Sequence, residues 1–207
     1  MGGAARGALT PHAWLQVIHA GHPLLLELPT WLSSGGVDDA LQQMHRAFAA
    51  LHIAAAAGKA GAPSAHDGDS RDADFFVLHL ITSLWGVDRL LPHLADDGAR
   101  RSALQCFWAG AVAIMLNIDA LPSAGVLERV WAELGGATPG KRADLLGAAW
   151  EHNVQRAWGE MEEHNIKLVY VERALRERYG EWPGWLQAAR TFTETPGLGP
   201  GRAPFSA

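Results

Sequence analysis

The strongest hydrophobic pattern in the chain lies between Trp150 and Leu175. There Trp150, Val154, Ala157, Met161, His164, Leu168, Val171 and Leu175 recur at alternating steps of four and three. Such steps lay a single apolar stripe along one face of a helix and predict that this face packs on a core. The stripe predicts a long helix from about Lys141 to Tyr179. His164 lies inside it, and Lys167, three residues on, emerges on the same side of the helix. The spacing therefore aims a histidine and a lysine together at the core. With only three lysines in the sequence, Lys167 is not drawn from an abundant surface stock.

The same periodicity, read with the turn residues, predicts the other elements. Thr10-Pro11 starts a helix that runs to about Ala20, with Thr10 as its cap. His22-Pro23 opens a second apolar segment, Leu24 to Leu32, bent at Pro29. Val37 to Ala57 reads as a helix with Leu41, Met44, Phe48, Leu51 and Ile53 on its buried side. Residues 58–72 are rich in Gly, Ala, Ser and Asp without apolar rhythm, and read as a flexible loop. The next helix, from Asp74 to about Leu94, is apolar nearly all round and is expected to be central. Helices over Asp97–Asp119, Ala124–Leu134 and Trp182–Ala189 follow, and residues 193–207 read as a disordered tail. No segment alternates as a strand does. The expectation is an all-α chain, one domain over residues 1–192: a helical bundle of about six to eight helices with buried central helices.

Composition narrows the function classes. A formal charge of −5 argues against a nucleic-acid binder, which would show a clustered basic patch. One cysteine, Cys106, excludes a disulfide framework and a Cys-based zinc site, fits a reducing, cytoplasmic setting, and is expected as a small buried core residue. The N-terminus does not read as a secretory signal, and the longest apolar run, Ala103 to Ile118, is interrupted by Gln105, Gly110 and Asn117. It reads as a buried helix, not a membrane span. The ten histidines and nine tryptophans are unusual for this length. Both can fill a helical core, but histidines also serve as ligands or acid–base groups, and tryptophans can line a flat pocket.

Four residues stand out as candidate chemistry. His79 sits in the most apolar helix with Phe75, Thr82 and Gly86 on its face, so small side chains leave room beside it. His22 sits at a helix break, and His164 and Lys167 share the long helix. Taken singly, each has a plainer reading: a core histidine bonded to a carbonyl, a helix cap, or a lysine reaching out to water. Taken together, three histidines on three apolar segments with an inward lysine resemble a metal site inside a bundle. Imidazoles combined with oxygen ligands favour iron or manganese. A buried lysine is pushed toward its neutral form, and a neutral amine can add carbon dioxide to become a carbamate, which is an oxygen ligand. Glu160, Glu162 and Glu163 are close enough along the chain to orient an imidazole. The remaining histidines, His45 and His52 among them, read as surface or helix-edge residues, and the Arg173–Arg178 cluster as a solvated face. No phosphate-binding loop, nucleophile elbow, H-E-x-x-H or C-x-x-C is present in the sequence.

The segments H22-P-L-L-L, D74-F-F-V-L-H79-L-I-T-S with R89-L-L-P downstream, and E163-H164-N-I-K167 resemble, in that order, the motifs of the questin oxidase-like proteins. The resemblance covers about His19 to Ala189 but only the C-terminal portion of the family, whose members carry a further histidine-rich N-terminal helix. It implies a helical oxygenase of secondary metabolism that opens a ring of an aromatic polyketide such as an anthraquinone. Family members are described both as NADPH-linked oxidases and as non-haem iron dioxygenases with a carboxylated lysine. Carried over by motif, His22, His79 and His164 would be metal ligands and Lys167 the carboxylated one, with catalysis resting on His164 and Lys167. Iron is the implied cofactor, NADPH a second one, and an aromatic small molecule the implied substrate; neither nucleic acid nor membrane is expected as a partner. The alternative is a truncated or split, non-catalytic helical subunit that needs a partner chain, or a second copy, to complete the fold.

Overall fold

The computed structural model describes residues 35–59, 73–116, 121–135, 143–160 and 163–191. Among these residues there are seven α-helices, one 3-10 turn and no strand, the all-α class that the periodicity predicts. They are α1 (Val37–Lys59), α2 (Ala73–Leu90), the turn Leu91–His93, α3 (Asp97–Met115), α4 (Ala124–Gly135), α5 (Ala143–Glu160), α6 (Glu163–Tyr179) and α7 (Pro183–Arg190). The expected helices before Gly35, the loop at 60–72 and the tail at 193–207 lie outside the described residues, as does His22.

Local chemistry accounts for several boundaries. Asp96 starts α3, its Oδ1 accepting the amide N–H of Ala99 at 2.8 Å, an N-cap bond that satisfies one of the orphan donors of the first turn. Pro92 stops α2 by removing a donor and leaves a single 3-10 turn. Gly180 ends α6 with φ of 80°, while its own N–H donates to the Arg176 carbonyl at 2.9 Å. That left-handed terminus favours glycine. Pro183 opens α7 in the first turn, where its missing donor costs nothing.

The helix that occupies the centre is α1, which packs on α2, α3, α4 and α7. Leu41, Met44, Phe48, Ala49 and Ala54 are sealed in it, and His45 and His52 are sealed with them. The expected central helix, α2, is instead covered on one side. Val77, Leu78, Ile81 and Leu84 face the core, while Ser83, Gly86, Arg89 and Leu90 are exposed. Its apolar exposed positions are small or terminal, which makes its composition look more buried than its face is.

Two further expectations are corrected. The stripe from Trp150 to Leu175 belongs to two helices, α5 ending at Glu160 and α6 starting at Glu163. The phase is kept across the junction, and its described members, Trp150, Ala157, His164, Leu168, Val171 and Leu175, are all buried apart from half-buried Val154. Periodicity reports which face is apolar, not the bounds of each helix. Cys106 is exposed on α3, not buried. On that helix only Leu104, Ala111, Val112 and Ala113 are fully covered, because α3 meets the bundle along one edge.

Candidate functional site

Helices α2 and α6 pack side by side, and side-chain contacts at both ends show that they run in the same direction. At one end His79 meets His164; at the other Asp88 meets Arg178 and Tyr179. The two imidazole centroids are 5.1 Å apart with a 52° tilt between ring planes. His164 is buried, as its place in the apolar stripe requires, whereas His79 is half-buried because it lies on the outer edge of α2.

Two charged side chains of α6 complete this end. Glu163 Oε1 lies 3.9 Å from His164 Nε2, and its Oε2 accepts from Lys167 Nζ at 3.1 Å. The hydrogen bond from Lys167 holds the Glu163 carboxyl below its ordinary pKa, helped by the charge of Lys167 and then by His164. Glu163 is therefore a carboxylate at neutral pH, and it sits beside the imidazole it was expected to orient.

Lys167 departs from expectation. Its side chain is 54% exposed, so the lysine is not aimed at the core. One helical turn supplies the reason: residues three apart are separated by about 60° around the axis. With His164 on the inner edge, Lys167 falls on the outer rim, where it can pair with Glu163 and stay hydrated.

The donor set fits a metal ion in part. Two imidazoles on one ion, with bonds of ~2.1 Å, place their ring centroids roughly 4.5–5.5 Å apart, which matches the pair seen. The Glu163 carboxylate supplies an oxygen beside them. Among the described residues no group of three or more His, Cys, Asp or Glu side chains is already gathered at ligating geometry. Lys167 as an ammonium repels a cation and would join only as its carbamate.

A second polar group lies inside, and it includes His45, which was expected at the surface or a helix edge. His45 and Asp88 are fully buried, with Nε2 and Oδ2 3.6 Å apart. Tyr179 donates its hydroxyl to Asp88 Oδ2 at 3.3 Å, and the Arg178 guanidinium lies 3.0 Å from Oδ1. Burial lowers the pKa of His45 despite the pull of Asp88, so its ring is neutral near pH 7. Burial raises the Tyr179 phenol to about 12, and the charge of Asp88 adds to that rise. His52 is anchored separately, through Nε2, to the carbonyl of Thr191 at 2.7 Å. The available signal was the seven-residue step from His45 to His52 beside Leu41, Met44 and Phe48, which places both on an apolar side of α1. The Arg173–Arg178 cluster is correspondingly only part solvated, since Arg178 reaches inward and Arg176 lies over the Trp150 ring at 5.9 Å.

Glu172 was also missed. It is fully buried on α6, with no hydrogen-bond partner for either carboxyl oxygen among the described residues. Burial pushes its pKa well above the ordinary value, so it is held as the neutral acid. The tryptophans divide between roles: Trp185 is sealed in the core, with Trp182 edge-on at 4.6 Å, while Trp131 and Trp158 are exposed.

Among the described residues no helix is long and apolar enough to cross a membrane. Compared with known proteins, residues 16–172, well over half of the chain, match a family model described as questin oxidase-like. No curated protein and no solved structure matches the chain.

Proposed function

The chain belongs to the questin oxidase-like family, and from that premise we propose an oxidoreductase that oxidatively opens a ring of an anthraquinone-like aromatic polyketide at a non-haem iron. The observation that carries this reading is the His79–His164 pair, contributed by two helices at a spacing suited to one shared ion, with the Glu163 carboxylate at its edge. His79 and His164 would hold the ion. His22, outside the described residues, would join them on the strength of its motif. Iron, when bound, would supply the activation of dioxygen.

Lys167 would act as its carbamate. The ammonium first gives one proton to water; the neutral Nζ then adds to the carbon of carbon dioxide and gives up a second proton, which turns a cation at the rim into an anionic oxygen donor. Glu163, 3.1 Å away, opposes that change while it stabilises the ammonium. His164, buried and fixed by packing, orients the site, and half-exposed His79 borders the open side from which a flat substrate can approach.

Anaerobic reconstitution with ferrous iron, followed by metal analysis and the electron paramagnetic resonance signal of the nitric oxide adduct, tests the reading. Stoichiometric iron is expected in the wild type, with loss in His79→Ala and His164→Ala. A wild-type chain that binds no iron refutes it. Turnover with and without NADPH tests the nicotinamide requirement.

A second reading, a helical subunit completed by a partner chain, is favoured by one observation: Leu90, Trp131, Trp158 and Tyr170 are all more than half exposed. Light scattering of the purified chain would show a monomer that binds no metal if that reading holds.

A further inference from the structure

The outer stripe of α6 continues beyond the histidine pair. Glu163, Lys167, Tyr170, Ala174 and Glu177 follow one another at steps of four and three, so they form one outer edge along the helix, exposed at all but half-buried Ala174. Its first two members rim the His79–His164 pair, and its last three line a surface cleft of about 470 Å³ with Trp85, Arg89 and Arg178. Because α2 and α6 run in parallel, Trp85 lies six residues past His79 just as Tyr170 lies six past His164. Six residues of helix rise about 9 Å, comparable to the long axis of three fused rings.

The chemistry of this cleft suits one class of ligand. Trp85 and the exposed Tyr170 offer aromatic faces, and the Arg89 guanidinium lies 5.5 Å from the Trp85 ring centroid. Arg178 is held by the buried Asp88 at 3.0 Å, which occupies part of its fork and fixes its direction; the remaining donors of a guanidinium stay available. Glu177, the one acid in the lining, is paired at 3.4 Å with Arg173 on its own helix. Aromatic walls with two guanidinium groups match a planar ring bearing a carboxylate.

We propose that the α2–α6 cleft is a recognition subsite for the carboxylate-bearing ring of a planar aromatic acid, whose far ring extends along the shared edge toward His79 and His164. This deepens the oxygenase reading by naming the substrate as an acid. Only the far ring's fate rests on that reading, since binding in the cleft requires no metal. Asp88 acts here as a positioning residue, through Arg178.

Isothermal titration calorimetry with anthraquinone-2-carboxylate and its neutral 2-carboxamide tests the proposal, on the full chain both metal-stripped and iron-reconstituted. The carboxylate is expected to bind at least tenfold more tightly than the amide in the stripped protein. Arg89→Gln, an exposed change that spares the fold, is expected to erase most of that preference, and Tyr170→Ala to weaken both ligands alike. Equal affinity for acid and amide, or a preference untouched by Arg89→Gln, overturns the proposal. A preference that exists only with iron present also overturns it, because the anion would then sit on the metal while the iron reading survives. A metal-independent preference in a protein that never binds iron has the opposite meaning: the cleft stands and the oxygenase reading fails.

Discussion

Glu172 offers a prediction that can be worked through from the structure. Its carboxyl is sealed inside α6 without a hydrogen-bond partner among the described residues, and burial holds it protonated. A buried polar group left unsatisfied costs about 1–3 kcal/mol. Glu172→Met keeps an unbranched chain of similar reach and removes both oxygens, so it should stabilise the fold by about 1–3 kcal/mol. For a chain of this size each kcal/mol corresponds to about 2–4 °C in Tm. The gain depends on pH with a definite sign. Above the ordinary glutamate value of 4.5 the unfolded chain releases this proton while the folded chain keeps it. The native state then holds more protons than the unfolded state, and stability falls as pH rises. The Met variant lacks that slope, so its advantage should be smaller at pH 5 than at pH 8. Urea unfolding followed by circular dichroism at both pH values measures it, with Glu172→Gln as a variant that removes the titration but keeps a buried polar group. A Met variant less stable than wild type at both pH values would show that the carboxyl is used, and would refute the reasoning.

Three other outcomes are expected. Because burial lowers the pKa of His45 from 6.5, the unfolded state binds the extra proton first as pH falls, so this residue's contribution is complete above about pH 6.5 and is lost below it; His45→Gln should show a flatter decline in urea midpoint between pH 7.5 and 5.5. Gly180→Ala forces a side chain onto a φ of 80° and should cost about 1 kcal/mol, read as a lowered Tm with the helical circular dichroism signal unchanged. Lys167→Met removes an exposed partner of Glu163 and should leave Tm unchanged, while the Glu163 carboxyl, no longer held down by that hydrogen bond, titrates at higher pH by carbon-detected NMR; a Tm drop of several degrees would show that Lys167 packs inward after all.

The site shows how far a linear pattern reaches. His164 could be placed inside because its neighbours in the stripe, Leu168 and Val171, are apolar at helical spacing, and its burial follows. His79 could be grouped with His164 by motif but not set against it at a given distance, because nothing in a helical period says which face of a second helix will meet it. Lys167 was misread for a related reason. A stripe has a width, and only the packing of α2 against α6 shows which flank is covered.

What the chain's own order of residues determined was local: the all-α class, most helix bounds, the caps at Asp96 and Pro183, the glycine stop at Gly180, and the buried face of the α5–α6 stripe. These follow from backbone geometry and from apolar spacing within a turn or two, where neighbours along the chain are neighbours in space. Tertiary structure alone decided that α1 is the central helix, that His45 and Asp88 share an interior, that Glu172 is buried with no hydrogen-bond partner among the described residues, and that Trp85, Arg89, Tyr170 and Arg178 line one cleft. Each of those depends on the relative rotation of two packed helices. A polar residue gains or loses its burial by a fraction of a turn, which hydrophobic periodicity does not encode.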